Sequence, residues 1–97
     1  MTYIFQWDET KDKLNFEKHK IRFVEAQTVF DDENSLTIDD PDHSTEEERY
    51  VDIGLSDKGH LLVVVYTERK ANIRIISSRK VTPAERKVYE QYQRIGG

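Results

Sequence analysis

The run L-L-V-V-V-Y, Leu61 to Tyr66, decides how the rest of the chain folds. It is unbroken and largely β-branched, the pattern of a central strand covered on both faces. A turn over Glu68–Asn72 leads to Ile73-Arg-Ile-Ile-Ser-Ser-Arg79, a strand with charge at both ends. On the other side of Leu61, Asp57-Lys-Gly-His60 has hairpin-turn chemistry. Before that turn, Val51, Ile53 and Leu55 alternate with Tyr50, Asp52, Gly54 and Ser56, as in a half-buried strand that starts at Arg49. Ser35–Asp39 reads as an edge strand, followed by a loop over Asp40–Thr45. Four strands joined in this way make an antiparallel meander.

Helical signals lie on either side of the meander. Tyr3–Trp7 is a short β-type run. Asp8 can then cap a helix, with Glu9 and Asp12 near its positive end. Trp7, Leu14 and Ile21 recur every seven residues and give that helix a thin apolar stripe. Lys20–Arg22 is the break, and Phe23–Phe30 fits a second short helix with Phe23, Ala26 and Phe30 on one face. After the last strand, Thr82-Pro-Ala-Glu85 is a complete helix start: an N-cap threonine, a proline at the first helical position and a glutamate for the capping box. This helix ends near Gly96. The spacing therefore predicts one α+β domain over residues 1–97, in the order β-α-α-β-β-β-β-α. Its sheet is small and largely antiparallel, with the helices packed on one face.

Charged residues make up 35% of the chain, but ten aromatics and dense β-branched runs argue for a folded core over disorder. There is no cysteine, which excludes a disulfide framework and a thiolate metal site. The opening MTYIFQWDETKDK does not read as a signal peptide, and no window approaches a membrane span. The expected location is the cytoplasm. The net charge of -4 is unevenly spread. Residues 1–68 hold 17 acidic and 7 basic side chains, a net of -10, whereas residues 69–97 hold 2 acidic and 8 basic, a net of +6. This asymmetry suits an anionic partner, or mutual neutralisation of the two parts within the fold.

No phosphate-binding loop, dinucleotide fingerprint or nucleophile elbow is present. Asp39-Asp-Pro-Asp-His43 has the composition of a metal cluster but not the spacing of a calcium loop, so no metal or other cofactor is expected. His60 follows a turn glycine and reads as solvated. The arginines are more suggestive: Arg49 opens one strand, Arg69 comes from a turn, and Arg74 and Arg79 belong to the last strand. Arginine's planar fork suits phosphate, and it suits structural carboxylate pairing equally well. Regular alternation would put Arg74 with Ile76 on one face and Arg79 with Ile73 and Ile75 on the other. Trp7 reads as core or as a base-stacking platform. This set of residues would serve metal-free RNA cleavage. A base takes the 2′-OH proton, cations stabilise the phosphorane, and an acid protonates the 5′-leaving oxygen. Histidine as a residue type suits acid–base work near neutral pH, which points to His19, beside Lys18, and Glu48 is the other base to consider.

Several short motifs, in this order and spacing, resemble one family over nearly the whole chain. They are F-Q-W-D-E at Phe5–Glu9, N-F-E-K-H at Asn15–His19, F-V-E-A-Q-T-V-F-D-D at Phe23–Asp32, E-E-R-Y at Glu47–Tyr50, L-L-V-V-V-Y-T-E-R at Leu61–Arg69, I-R-I-I-S-S-R at Ile73–Arg79 and T-P-A-E-R-K-V-Y-E at Thr82–Glu90. The chain is similar to the BrnT toxins of bacterial type II toxin–antitoxin systems. The resemblance implies a RelE-like fold and a ribonuclease that arrests growth by blocking translation. It also implies a hetero-oligomer with a BrnA-like ribbon-helix-helix antitoxin, with operator DNA bound only through that antitoxin and no membrane partner. Carried onto this chain, it points to Trp7, Lys18, His19, Arg49, Arg69, Arg74 and Arg79. The family pattern has glycine where this chain has Lys20, a position suited to a left-handed helix end, and alanine where it has Ser78. Two other readings remain open at this stage. One is a non-catalytic module that docks an acidic partner or nucleic acid on a basic sheet surface. The other is a metal-dependent nuclease using Asp39, Asp42 and His43.

Overall fold

The computed structural model describes residues 3–39 and 49–96 of the chain. Five strands form one sheet: β1 (Ile4–Gln6), β2 (Leu36–Asp39), β3 (Arg49–Leu55), β4 (Leu61–Arg69) and β5 (Asn72–Lys80), in the spatial order β1-β5-β4-β3-β2. The antiparallel meander β2-β3-β4-β5 is present, with β2 at its edge. At the opposite edge β1 adds in parallel to β5, pairing Ile4 with Asn72 and Gln6 with Arg74. The helices are α1 (Glu9–His19), the single turn α2 (Phe23–Ala26), which continues as a 3-10 segment over Gln27–Asp31, and α3 (Pro83–Gly96).

The run Leu61–Tyr66 is covered on both faces, as its composition requires. Its even-numbered residues Leu62, Val64 and Tyr66 pack with Ile73, Ile75, Ile21, Phe23, Ala26 and Val29. Fully burying an apolar side chain such as Phe23 or Leu62 is worth roughly 1.5–3 kcal/mol. Gly54 lies on this first face beneath the 3-10 segment, where an added Cβ would stand 2.7 Å from Val29 Cγ1. The odd-numbered Leu61 and Val63 pack with Ile53 on the second face, against Val51, Val81 and Tyr89 of α3. The helices therefore do not share one face. α2 and its 3-10 extension cover the first, and α3 covers part of the second, because the alternation of β4 leaves apolar residues on both.

α1 also departs from its expected stripe. Leu14 is 57% exposed, and the buried residues of the helix are Asp12 and Asn15. Asp8 caps the helix through bonds from the backbone N–H groups of Thr10 and Lys11. Asp12 accepts from the Phe23 N–H at 2.8 Å. The Asn15 amide donates to Ile21 O and to Ser78 O, both at 2.8 Å, and accepts from the Ser78 N–H at 3.1 Å. Its side chain thus completes the ladder of β5 where β1 has ended. The helix is held by hydrogen bonds at positions an apolar count cannot see. Lys20 adopts the left-handed conformation expected of a glycine there (φ 63°), and its N–H closes onto Phe16 O at 2.8 Å. A non-glycine residue in that conformation costs about 1 kcal/mol.

The start of α3 follows the sequence pattern. Thr82 N–H donates to Glu85 Oε1, and Glu85 N–H donates to Thr82 Oγ1, a reciprocal capping box. Among the described residues no helix is long and apolar enough to cross a membrane.

Candidate functional site

The second face of the sheet is open at the end away from α3. In cross-strand register, Arg49 of β3 pairs with Thr67 of β4, Thr67 with Arg74 of β5, and Arg74 with Gln6 of β1. One step further along, Arg69 pairs with Asn72. Residues in register point to the same side of a sheet, so these side chains converge. With Ile76, and with Lys11 from the first turn of α1, they line a concavity of about 480 Å³. Among the described residues, four of those that line it are cations and none is an acid. Like charges held together in a concave site raise the local potential and concentrate anions there. The field reaches the rim: the Asp8 carboxyl is held below its ordinary range mainly by the N–H groups of Lys11 and Thr10, and the charges of Lys11 and Arg74 add to this.

One inserted residue decides which arginines share that face. Val65 pairs with Ser77 and Tyr66 with Ile75, so Ile76 is an extra residue in β5, a bulge. Past the bulge, Arg79 pairs with Val63. Val63, Val65 and Thr67 alternate along one side of β4, so Arg79 and Arg74 are on the same face, not on opposite faces as unbroken alternation would have it. Arg79 is nevertheless outside the concavity. Its guanidinium forks onto Glu85 at 2.8 and 2.9 Å and holds that carboxyl down to about 2, joining β5 to α3.

Of the residues nominated from sequence, the structure brings Arg49, Arg69 and Arg74 together. It does not bring Trp7, Lys18, His19 or Arg79 to the same concavity. Trp7 packs edge-on against Phe23 at 6.2 Å between ring centres and belongs to the rim of the core. Lys18 and His19 end α1, with Lys18 exposed and His19 half-buried on the same helix face as Asp12 and Asn15. His19 lies eight residues beyond Lys11, about 12 Å along the helix axis. Glu48, Asp40, Asp42 and His43 lie outside the described residues, as does the side chain of Asp39. His60, read as solvated, has its Nδ1 2.7 Å from the buried Glu25, which also accepts from Ser56 Oγ at 2.6 Å. Burial pushes the Glu25 carboxyl up, but the bonds from Ser56 and His60 more than offset this and leave it below its ordinary range. This cluster ties the β3–β4 hairpin to α2. Lys11 and Thr67 were missed from sequence. The signal for Thr67 is its register with the two arginines, and that for Lys11 is its place one turn after the Asp8 cap.

The family model described as "Ribonuclease toxin, BrnT, of type II toxin-antitoxin system" matches residues 7–85, most of the chain and nearly all of the concavity's lining. The chain belongs to the BrnT family. BrnT proteins are ribonuclease toxins, so membership brings ribonuclease activity, an RNA target and an antitoxin partner. A crystal structure of the BrnT ribonuclease toxin of Brucella abortus superposes with a TM-score of 0.64, covering 84% of this chain and 99% of that one at 19% identity. At that identity the likeness establishes a shared fold. No curated protein matches the sequence.

Proposed function

We propose that this chain is a metal-independent BrnT toxin that cuts RNA at the basic concavity. It acts in the cytoplasm as one domain, until a BrnA-like ribbon-helix-helix antitoxin covers it. The observation that carries this reading is the convergence of Arg49, Arg69, Arg74 and Lys11 on one surface, with no acid among the described residues that line it. A phosphodiester held there has cations on several sides. When the 2′-oxygen attacks phosphorus and the bond to the 5′-oxygen breaks, negative charge grows on the non-bridging oxygens. Cations already in position stabilise that charge without reorganising. The arginine forks also orient the phosphate for in-line attack.

The acid–base pair is proposed from the sequence neighbours of this surface. Glu48, next in the chain to Arg49, is the base candidate. His19 and Lys18 are the acid candidates read from the sequence; they lie outside the concavity, and the His19 variant tests whether they serve the leaving oxygen. Replacing Glu48 by Gln and His19 by Ala, each with a pH–rate profile, assigns the two limbs. The deciding experiment is cleavage of RNA by purified protein in excess EDTA. Undiminished cleavage is expected, and a requirement for added Mg²⁺ overturns the metal-free scheme. RNA binding without any cleavage returns the chain to the binding-module reading.

A further inference from the structure

The floor of the concavity holds two polar groups with no hydrogen-bond partner among the described residues. Thr67 is 2% exposed, and its Oγ1 has no hydrogen-bond partner among the described residues. Nε of Arg49, its neighbour in the cross-strand row, is buried and unpartnered in the same way. A third orphan, Ser78 Oγ, belongs to the first face of the sheet, beside Asn15. Thr67 is flanked in the row by Arg49 and Arg74, whose guanidinium groups can only donate. Its hydroxyl therefore has no acceptor beside it in the row. Leaving buried donors unsatisfied costs stability, and the fold tolerates this on the floor of a concavity lined by cations.

We propose that Thr67 Oγ1–H and Arg49 Nε–H form a seat for one non-bridging oxygen of an RNA phosphodiester, with Arg69, Arg74 and Lys11 neutralising the remainder. This rests on the ribonuclease reading above and adds to it the atoms that receive the phosphate. The oxygen enters between the side chains of Arg49 and Arg74, which stand on either side of Thr67. Arg74 is exposed, and both side chains are long enough to part. A phosphate can bury one oxygen in such a seat and present its others to the surrounding cations. A planar carboxylate satisfied by one arginine fork leaves most of that charge unused. An RNA strand supplies further phosphates to the remaining cations.

The test exploits a trade between stability and binding. Thr67→Val keeps the branched shape and removes only the hydroxyl, whereas Thr67→Ser keeps the hydroxyl. Wild type and both variants are titrated by fluorescence anisotropy with a short 2′-O-methyl oligoribonucleotide, which binds but lacks the attacking hydroxyl. Thr67→Val is expected to melt at the same temperature or about 2–5 °C higher. Its affinity should fall about tenfold, while Thr67→Ser stays within about twofold of wild type. Inorganic phosphate should compete with the oligonucleotide on wild type more strongly than on Thr67→Val. Unchanged binding by Thr67→Val overturns the proposal, and so does an equal loss in both variants, which marks a packing effect. So does Thr67→Val that keeps RNA affinity while losing antitoxin affinity, which assigns the seat to a carboxylate of the protein partner. Failure of the ribonuclease reading shows up separately, as wild-type protein that binds the oligonucleotide but cuts no RNA.

Discussion

The two faces of the sheet are built from alternate residues of the same strands, yet they do opposite things. On the first, Leu62, Val64, Tyr66, Ile73 and Ile75 are closed over by Ile21, Phe23, Ala26 and Val29. On the second, α3 covers Ile53, Leu61 and Val63, and beyond it the sheet ends in Arg49, Thr67, Arg74 and Arg69. Closing the first face gives the chain its stability, and leaving part of the second open gives it a charged surface that closure would neutralise or bury. The two are separable because a strand sends neighbouring residues in opposite directions. Substitutions on the open end should therefore lower activity without lowering stability, and substitutions on the closed face the reverse.

The largest effect is expected on the open end. Arg74 is exposed, and Arg74→Ala should lower single-turnover RNA cleavage by about 100-fold, the usual loss when one donor to a developing oxyanion is removed. Its melting temperature should stay near that of wild type, and a large drop in both would erase the distinction between the faces. On the closed face, Gly54→Ala forces a Cβ against Val29 and Ser35. It should cost about 1–3 kcal/mol in urea unfolding and leave cleavage per folded molecule unchanged.

The smallest effect concerns Asp52, also on the closed face. It is 3% exposed and accepts from Thr37 Oγ1 at 2.7 Å and Tyr66 Oη at 2.9 Å. Burial raises its carboxyl above the ordinary range despite those two bonds. A raised carboxyl binds its proton more tightly in the folded state. Its contribution to stability is therefore full below the unfolded pKa and is lost as pH rises through the folded one. Asp52→Asn keeps an acceptor for both hydroxyls without the charge. Its melting temperature relative to wild type should rise from about pH 4 to pH 7. A difference that shrinks over that range contradicts the assignment.

Much of this architecture can be read from the chain, because it rests on local chemistry. The Thr82–Glu85 capping box, the edge position of β2 and the doubly covered β4 all follow from residues a few positions apart, whereas the left-handed turn at Lys20 is suggested only by the glycine of the family pattern. Non-local events carry the rest. The parallel docking of β1 on β5 joins residues that share no local pattern. The single inserted residue Ile76 moves Arg79 to the face opposite the one alternation assigns it. The attachment of α1 through Asp12 and Asn15 is invisible to a count of apolar residues and makes Leu14 look like core. The candidate site divides in the same way. Arg49, Arg69 and Arg74 stand out by residue type, while Thr67 is identified only by its register with two of them and Lys11 by its place one turn after the Asp8 cap.

The pairing of β1 with β5 also fixes an order of events during synthesis. Ile4 meets Asn72, and Asn15 meets Ser78, 63 residues later. The first strand and helix leave the ribosome early, but their docking place is made last. Contacts of such long separation form late. The concavity itself takes Lys11 from α1 and Arg74 from β5, 63 residues later. A nascent or truncated chain that stops short of Arg74 therefore carries an incomplete site, and the surface proposed to cut RNA exists only once β5 has been made.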